Sequence, residues 1–453
     1  MFTSSSKPKL QDPLPHSISR HRRVWVPLLA LLLIVAPAVL FPSLPQAANH
    51  NISFADTAWM LTATALVLLM TPGLAFFYGG MVSKKNVIST MLQSFMSMVL
   101  ITLLWMVVGF SLSFGKSWGG IIGDPRTFFM MRAVVGGAPW ELAASIPLLL
   151  FASFQLKFAI ITPALITGAF AERIRFKSYL LFITLFSIFI YCPLAHATWH
   201  PQGLLFQYGV LDFAGGTVVH MSAGWAALAA AMYTRKRNEP AHNPARVTYV
   251  LLGTGLLWFG WFGFNAGSAF AANALAVTAL GTTTTASAAA AFTWITLEMT
   301  LGKKPSATGT CIGMVVGLVA ITPAAGYVTI PHSLLIGAIS SAVSYGVVRL
   351  RTKTEVDDTL DVFPCHGVGG IMGMLLTGVF AHQAVNPAVT TNGLAFGQMG
   401  LFWVQLTAML GVSLFVFGGT WLLLKLTNAL SPLRVSTNEE AEGLDLSQHG
   451  EKL

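Results

Sequence analysis

Long apolar runs separated by short polar turns fill nearly the whole chain, and each run has the length a lipid bilayer requires. About 20 predominantly apolar residues in α-helix cross the hydrocarbon core. Eleven such runs fall at roughly 56–81, 88–114, 142–170, 178–198, 213–234, 248–271, 275–301, 308–326, 330–350, 363–382 and 397–426. They predict an all-α membrane protein of eleven spans. No intervening polar stretch is long enough for a soluble domain. Residues 427–453 form the only polar segment long enough to act as a regulatory element. Glycines crowd the runs, as at Gly215-Gly216, Gly260, Gly263, Gly267 and Gly369-Gly370. Small residues let membrane helices approach closely where lipid supplies no hydrophobic drive for association.

The polar turns alternate in charge. Lys84, Lys85; Arg173, Arg175, Lys177; Arg235, Lys236, Arg237, Arg246; Lys303, Lys304; Arg349, Arg351, Lys353; and Lys425, Arg434, Lys452 all follow odd-numbered runs. The opposite side carries only Lys116, Arg126 and Arg132. Positive charge accumulates on the cytoplasmic side, so the first span starts outside and the tail ends inside. An odd number of spans is the consequence.

Ahead of the first span, Arg20-His-Arg22-Arg23 precedes an apolar run over 24–41, followed by Pro42 and small residues up to Ala48. The pattern resembles a signal peptide with an imperfect cleavage site, and an uncleaved anchor fits the same residues. The expected divisions are residues 1–48 as leader, 49–426 as membrane domain and 427–453 as cytoplasmic tail.

Composition agrees: 54% of the 453 residues are hydrophobic and 9% charged, against about 25% charged in soluble domains. The net charge of +9 does not mark a nucleic-acid binder, because the cations lie in scattered turns and not in one patch. Cys192, Cys311 and Cys365 sit in or beside apolar runs, without disulfide or zinc-ligand spacing. They read as small hydrophobes, and neither a metal nor another cofactor is expected.

Two histidines stand apart, in Asp212-Phe-Ala-Gly-Gly-Thr-Val-Val-His220-Met-Ser-Ala-Gly and Asp361-Val-Phe-Pro-Cys-His366-Gly-Val-Gly-Gly. An ionisable side chain in a membrane span faces a pathway or a polar partner, because lipid exposure is costly. One in each half suggests a polar relay through an apolar conduit. Straight-helix counting does not bring them together. It sets His220 roughly 10 Å and His366 roughly 24 Å below the outer surface.

The run Trp258-Phe-Gly-Trp261-Phe-Gly-Phe264-Asn-Ala-Gly-Ser268 is not explained by hydropathy. With the two histidine blocks and Ala171-Glu-Arg-Ile-Arg175, it resembles the ammonium transporter (Amt/Mep/Rh) family, from about Asp56 to the tail. Ala195-His-Ala-Thr-Trp199 favours the bacterial Amt branch over a Rh-like gas channel. The resemblance implies two inverted five-helix repeats plus a final helix, a substrate site near the midplane, a homotrimer with one pore per subunit, and a plasma-membrane location. The substrates it implies are ammonium, ammonia and methylammonium.

By that resemblance Phe158 (in Ser153-Phe-Gln-Leu-Lys-Phe158), Trp199 and Ser268 recruit ammonium at the outer face. Aromatic faces attract a cation, and a hydroxyl oxygen accepts one of its N–H bonds. Phe158 and Phe264 correspond to a stacked gate, and His220 and His366 to a pore-lining pair that contacts ammonia or relays its proton. No residue is expected to be catalytic in the enzymatic sense. Asp212 matches an architectural aspartate at the start of the fifth span, and Thr322 a further vestibule position. Lys157 departs from the family pattern. A cation beside the gate would repel ammonium unless it points away, towards lipid or a subunit contact. The tail Asn438–Glu451 resembles the family's coupling element and implies control by a PII-type signalling protein; an unstructured solubilising tail is the plainer alternative. A sensor of the same fold with little flux is the rival function.

Overall fold

The computed structural model describes residues 51–240 and 243–453, with a few helical positions between 29 and 40. The chain divides into Met1–Ser43 and Leu44–Leu453. The signal-peptide and anchor readings fall largely outside the described residues, and everything below concerns the second unit.

Nine helices among the described residues are long and apolar enough to cross a membrane: α1 (Phe54–Met81), α2 (Lys84–Phe114), α3 (Leu148–Ala169), α4 (Phe176–Gln207), α6 (Val247–Ala269), α7 (Ala274–Thr300), α9 (Ile330–Arg351), α10 (Phe363–Phe380) and α11 (Gly400–Leu430). Over the other two expected segments the chain is helical too, in shorter or interrupted form. α5 is a widened π-helical turn, Gly216–Met221, running into Ser222–Thr234. α8 covers Ala307–Ile321 and stops five residues short of the expected 326. Pro323 has no N–H to continue the helical ladder. α3 starts at Leu148, six residues later than expected, with Pro147 at its N-cap; proline disfavours helical conformation in the residue before it.

Helix termini need acceptors for their first N–H groups, and short polar side chains supply them here. Ser53, Asn273, Ser306 and Thr329 cap α1, α7, α8 and α9. α1 and α6 cross with their backbones touching. A Cβ at Gly253 would lie 2.6 Å from the Gly73 carbonyl oxygen. The large apolar core runs through both halves of the bundle.

Residues 431–449 fold against the end that carries the basic turns. α12 (Thr437–Glu442) starts in a capping box between Ser436 and Glu439. α13 (Leu444–His449) brings Asp445 to the start of α2, where its carboxylate accepts the Ser89 and Ile88 N–H groups at 2.7 and 3.1 Å. Arg175 pairs with Glu439, and the buried Glu440 accepts from Asn238 N–H at 2.6 Å and from Arg434 at 2.8 Å. These contacts place the tail and the turns at 84–85, 173–177 and 235–238 at one end of the bundle. An unstructured tail does not describe them.

Candidate functional site

Aromatic rings contributed by α3, α4 and α6 meet where a cavity of about 300 Å³ enters the bundle from the end opposite the tail. Phe158 and Phe264 stack with centroids 4.2 Å apart and planes inclined by 29°. Both are essentially fully buried. Trp199 stands edge-on to Phe158 at 5.8 Å. Phe158, Trp199, Asp212 and Ser268 line this vestibule, whereas Phe264 lines a second, much smaller void beyond the stack. The two rings are therefore the partition between two compartments.

The hydrogen bonds of the vestibule leave acceptors facing it. The Ser268 hydroxyl donates to the Phe264 carbonyl at 2.8 Å, so its remaining lone pairs accept. Gln155, 5% exposed, has an Oε1 without a partner among the described residues. Trp199 Nε1–H is committed to the Asp212 carbonyl at 3.2 Å, which turns the indole face, not its donor, to the cavity. A cation rich in N–H donors fits such a wall better than a bare metal ion does.

Beyond the partition the void measures about 10 Å³, and its wall is apolar except for two rings, His220 and His366. Their Nδ1 atoms are 3.3 Å apart, with ring planes inclined by 26°. His220 Nε2 lies 3.3 Å from Thr322 Oγ1. That hydroxyl donates its one proton to the Leu318 carbonyl at 2.8 Å and accepts Trp261 Nε1–H at 2.9 Å. It therefore has only a lone pair left for His220. With both rings neutral, His220 carries its proton on Nε2, His366 donates from Nδ1 to His220 Nδ1, and His366 Nε2 is left as an acceptor.

Straight-helix counting failed to bring these rings together because it measured both depths from an outer helix end taken to lie at the membrane surface. α5 does not start there. The chain dips in from the vestibule, and the buried Asp212 carboxylate receives the N–H groups of Gly215, Gly216 and Thr217 at 2.8, 2.6 and 2.7 Å, plus the Thr217 hydroxyl at 2.6 Å. From the opposite end, fully buried Asp358 caps α10 by accepting Val362 and Phe363 N–H at 3.1 and 2.7 Å. Each histidine thus lies about one turn inside a recessed helix start. Backbone contact closes the remaining gap. A Cβ on Gly224 would fall 2.1 Å from the Gly367 nitrogen, so α5 and α10 touch beside the rings. Burial, reinforced by the charge of Asp361, pushes Asp358 up to about 7 despite its two N–H donors.

Of the expected residues, the structure groups Phe158, Trp199, Ser268 and Asp212 around the vestibule, Phe264 below the partition, and His220 with His366 in the void. Thr322 is not in the vestibule; it sits behind His220. Lys157 lines neither compartment, is half-buried, and makes no hydrogen bond or ion pair with a described residue. Sequence reasoning passed over Gln155 and Asp358. Gln155 lies three residues before Phe158, almost one turn back on the same helix face. Asp358 precedes His366 by the same eight residues that separate Asp212 from His220. Among the described residues no group of three or more His, Cys, Asp or Glu side chains could hold a metal ion.

Fold and site together define a multi-pass, mostly helical membrane protein with an aromatic vestibule stacked above a narrow void that holds two histidines. A profile of the Ammonium Transporter Family matches residues 58–453. The ammonium transporter of Bacillus subtilis is 44% identical over 407 residues, covering 88% of this chain and 98% of its own length. The crystal structure of Saccharomyces cerevisiae Mep2 superposes with a TM-score of 0.81 at 34% identity, over 86% of this chain and 89% of that one. A structure described as a sensor Amt protein gives a TM-score of 0.78 at 29% identity, over 87% and 98%. The chain belongs to the ammonium transporter family.

Proposed function

We propose that this protein takes up ammonium by recruiting it in the vestibule, removing a proton at the Phe158–Phe264 partition, and conducting ammonia through the void. The observation that carries this reading is the partition itself. On one side, π faces and hydroxyl or amide oxygens suit a cation; on the other, an apolar space of about 10 Å³ opposes one. Burying an unpaired ammonium ion in such surroundings costs far more than burying neutral ammonia. The imidazole pair offers an acceptor and an internal hydrogen bond along which the released proton can pass separately. Transport is then electrogenic although the species in the void is neutral.

The same reading takes α1 to α11 as eleven spans in two inverted repeats, N-terminus outside and C-terminus inside. Support comes from the basic turns and the tail sharing one end of the bundle. Residues 1–48 act as leader, 49–426 as transporter and 427–453 as regulatory tail, in a bacterial-type plasma membrane. A homotrimer and a PII-type partner at the ordered tail complete the proposal, and no cofactor takes part.

Likeness to a structure described as a sensor Amt protein supports a second reading, in which binding at the vestibule is the output. Purified protein in proteoliposomes separates the two. Ammonium-triggered current and methylammonium accumulation are expected. Ammonium binding with neither current nor accumulation would establish the sensor instead.

A further inference from the structure

Far from the vestibule, a cavity of about 460 Å³ opens at the basic end of the bundle, among the ends of α7, α8 and α9. Lys303, Arg349 and Lys353 stand at it, all exposed, and none makes an ion pair with a described residue. The one carboxylate present, buried Glu298, is engaged elsewhere. Its Oε2 accepts Ser306 N–H and its Oε1 the Ser306 hydroxyl, each at 2.9 Å. Three cations therefore face one carboxylate that is already satisfied.

A second observation is independent of charge. Tyr345 is 7% exposed, lines the same cavity, and its hydroxyl has no hydrogen-bond partner among the described residues. The ring is fixed edge-on against Trp294 at 5.0 Å, so the O–H cannot swing far to find one. A buried donor without an acceptor is costly, and an anion in the cavity would supply that acceptor. The remaining wall is greasy, with Trp294, Ile312 and Val348. On α7 and α9 beside it, the apolar side chains of Phe292, Met299 and Leu350 are 74%, 57% and 62% exposed on the single chain.

We propose that this cavity binds the phosphate of an anionic phospholipid headgroup. Lys303, Arg349 and Lys353 attract the phosphate, the Tyr345 hydroxyl donates to it, and the glycerol and upper acyl chain lie along Ile312 and Val348. A free phosphate would use the cations and the phenol but leave the apolar wall unused. Basic clusters at a membrane surface draw anionic lipids in this way.

The test is binding of fluorescent phosphatidylglycerol to the full-length protein in detergent. Removing two of the cations in Arg349→Gln/Lys353→Gln should weaken binding about 30-fold. Tyr345→Phe, which deletes only the hydroxyl, should weaken it about 10-fold. Lys303→Gln serves as the charge variant should the pair fail to fold. Unlabelled phosphatidylglycerol should compete, whereas phosphatidylcholine and millimolar inorganic phosphate should not. Unchanged affinity in the correctly folded variants, or equal competition by phosphatidylcholine, would overturn the proposal. Competition by inorganic phosphate as effective as by the lipid would place a soluble anion in the cavity and overturn the lipid assignment.

Discussion

Asp212 offers the sharpest test of how the vestibule is built. Its carboxylate serves four donors at 2.6 to 2.8 Å, all at the recessed start of the helix that carries His220. Asp212→Ala strands the four together. At about 1–1.5 kcal/mol for each donor, allowing for water reaching them from the vestibule, the loss is about 4–6 kcal/mol. Asp212→Asn keeps one oxygen, enough for two donors, and turns its NH₂ towards the other two, for a loss of about 2–3 kcal/mol. The assay pairs thermal melting of purified protein with initial ammonium-triggered current in proteoliposomes. An architectural role predicts that stability and maximal current fall together, in the order Asn then Ala, while half-saturation hardly moves in Asp212→Asn. At least a tenfold loss of current is expected for Asp212→Ala, because fraying one turn displaces His220. A melting point equal to wild type, with only the half-saturation raised, would refute the capping argument and make Asp212 a direct ligand.

Phe158→Ala opens the partition, so currents carried by potassium, absent from the wild type, should appear in the same proteoliposomes. Lys157→Met should shift the half-saturation for ammonium less than about twofold, since Lys157 lines neither compartment; a tenfold gain in affinity would place that ammonium group in the vestibule after all. Asp358 carries a pH signature. Its folded pKa of about 7 lies above the ordinary 3.8, so the folded chain holds a proton that the unfolded chain releases. Stability should therefore fall as pH rises from about 4 to about 7, and Asp358→Asn should flatten that part of the melting profile. Glu440→Ala removes the acceptor of Asn238 N–H and the partner of Arg434, and limited proteolysis should then cut residues 431–453 faster than in wild type.

Much of the fold was legible because a bilayer imposes simple rules. Length and apolarity located the nine helices long and apolar enough to cross a membrane among the described residues, and the shorter helices α5 and α8. Segment limits were less legible near Pro147 and Pro323, since hydropathy does not register the N–H that proline lacks, and proline alone does not mark an end: Pro72 and Pro163 lie inside α1 and α3. The aromatic blocks around Trp199 and Phe264 were legible only through resemblance. Nothing in their spacing says that Phe158 on α3 and Phe264 on α6 face each other at 4.2 Å. Thr322 was placed in the wrong compartment for the same reason: its position depends on where Pro323 ends α8, and that is a matter of tertiary geometry.

The histidine pair shows why counting along a membrane helix can mislead even when every residue is correctly noticed. Depth counted from the surface assumes a helix that begins at the surface, where water satisfies its first N–H groups. A helix that begins inside the bundle must bring its own acceptor, and an aspartate a few residues upstream is the economical choice. Such aspartates precede both histidines by eight residues, Asp212 before His220 and Asp358 before His366. Asp361 obscures the second, being nearer to His366, yet it is paired with Arg351 and caps nothing. The recessed start of α5 carries His220 deeper than a count from the outer surface allows, towards the level of His366. Gly224 then supplies the remaining condition, since a Cβ there would fall 2.1 Å from the Gly367 nitrogen and hold the two backbones apart beside the rings. The same reasoning makes a demand on the molecule: Gly224→Ala should separate the histidines and slow transport while Asp212 and Asp358 keep their caps, and a Gly224→Ala protein with wild-type current would show that contact between the rings is dispensable.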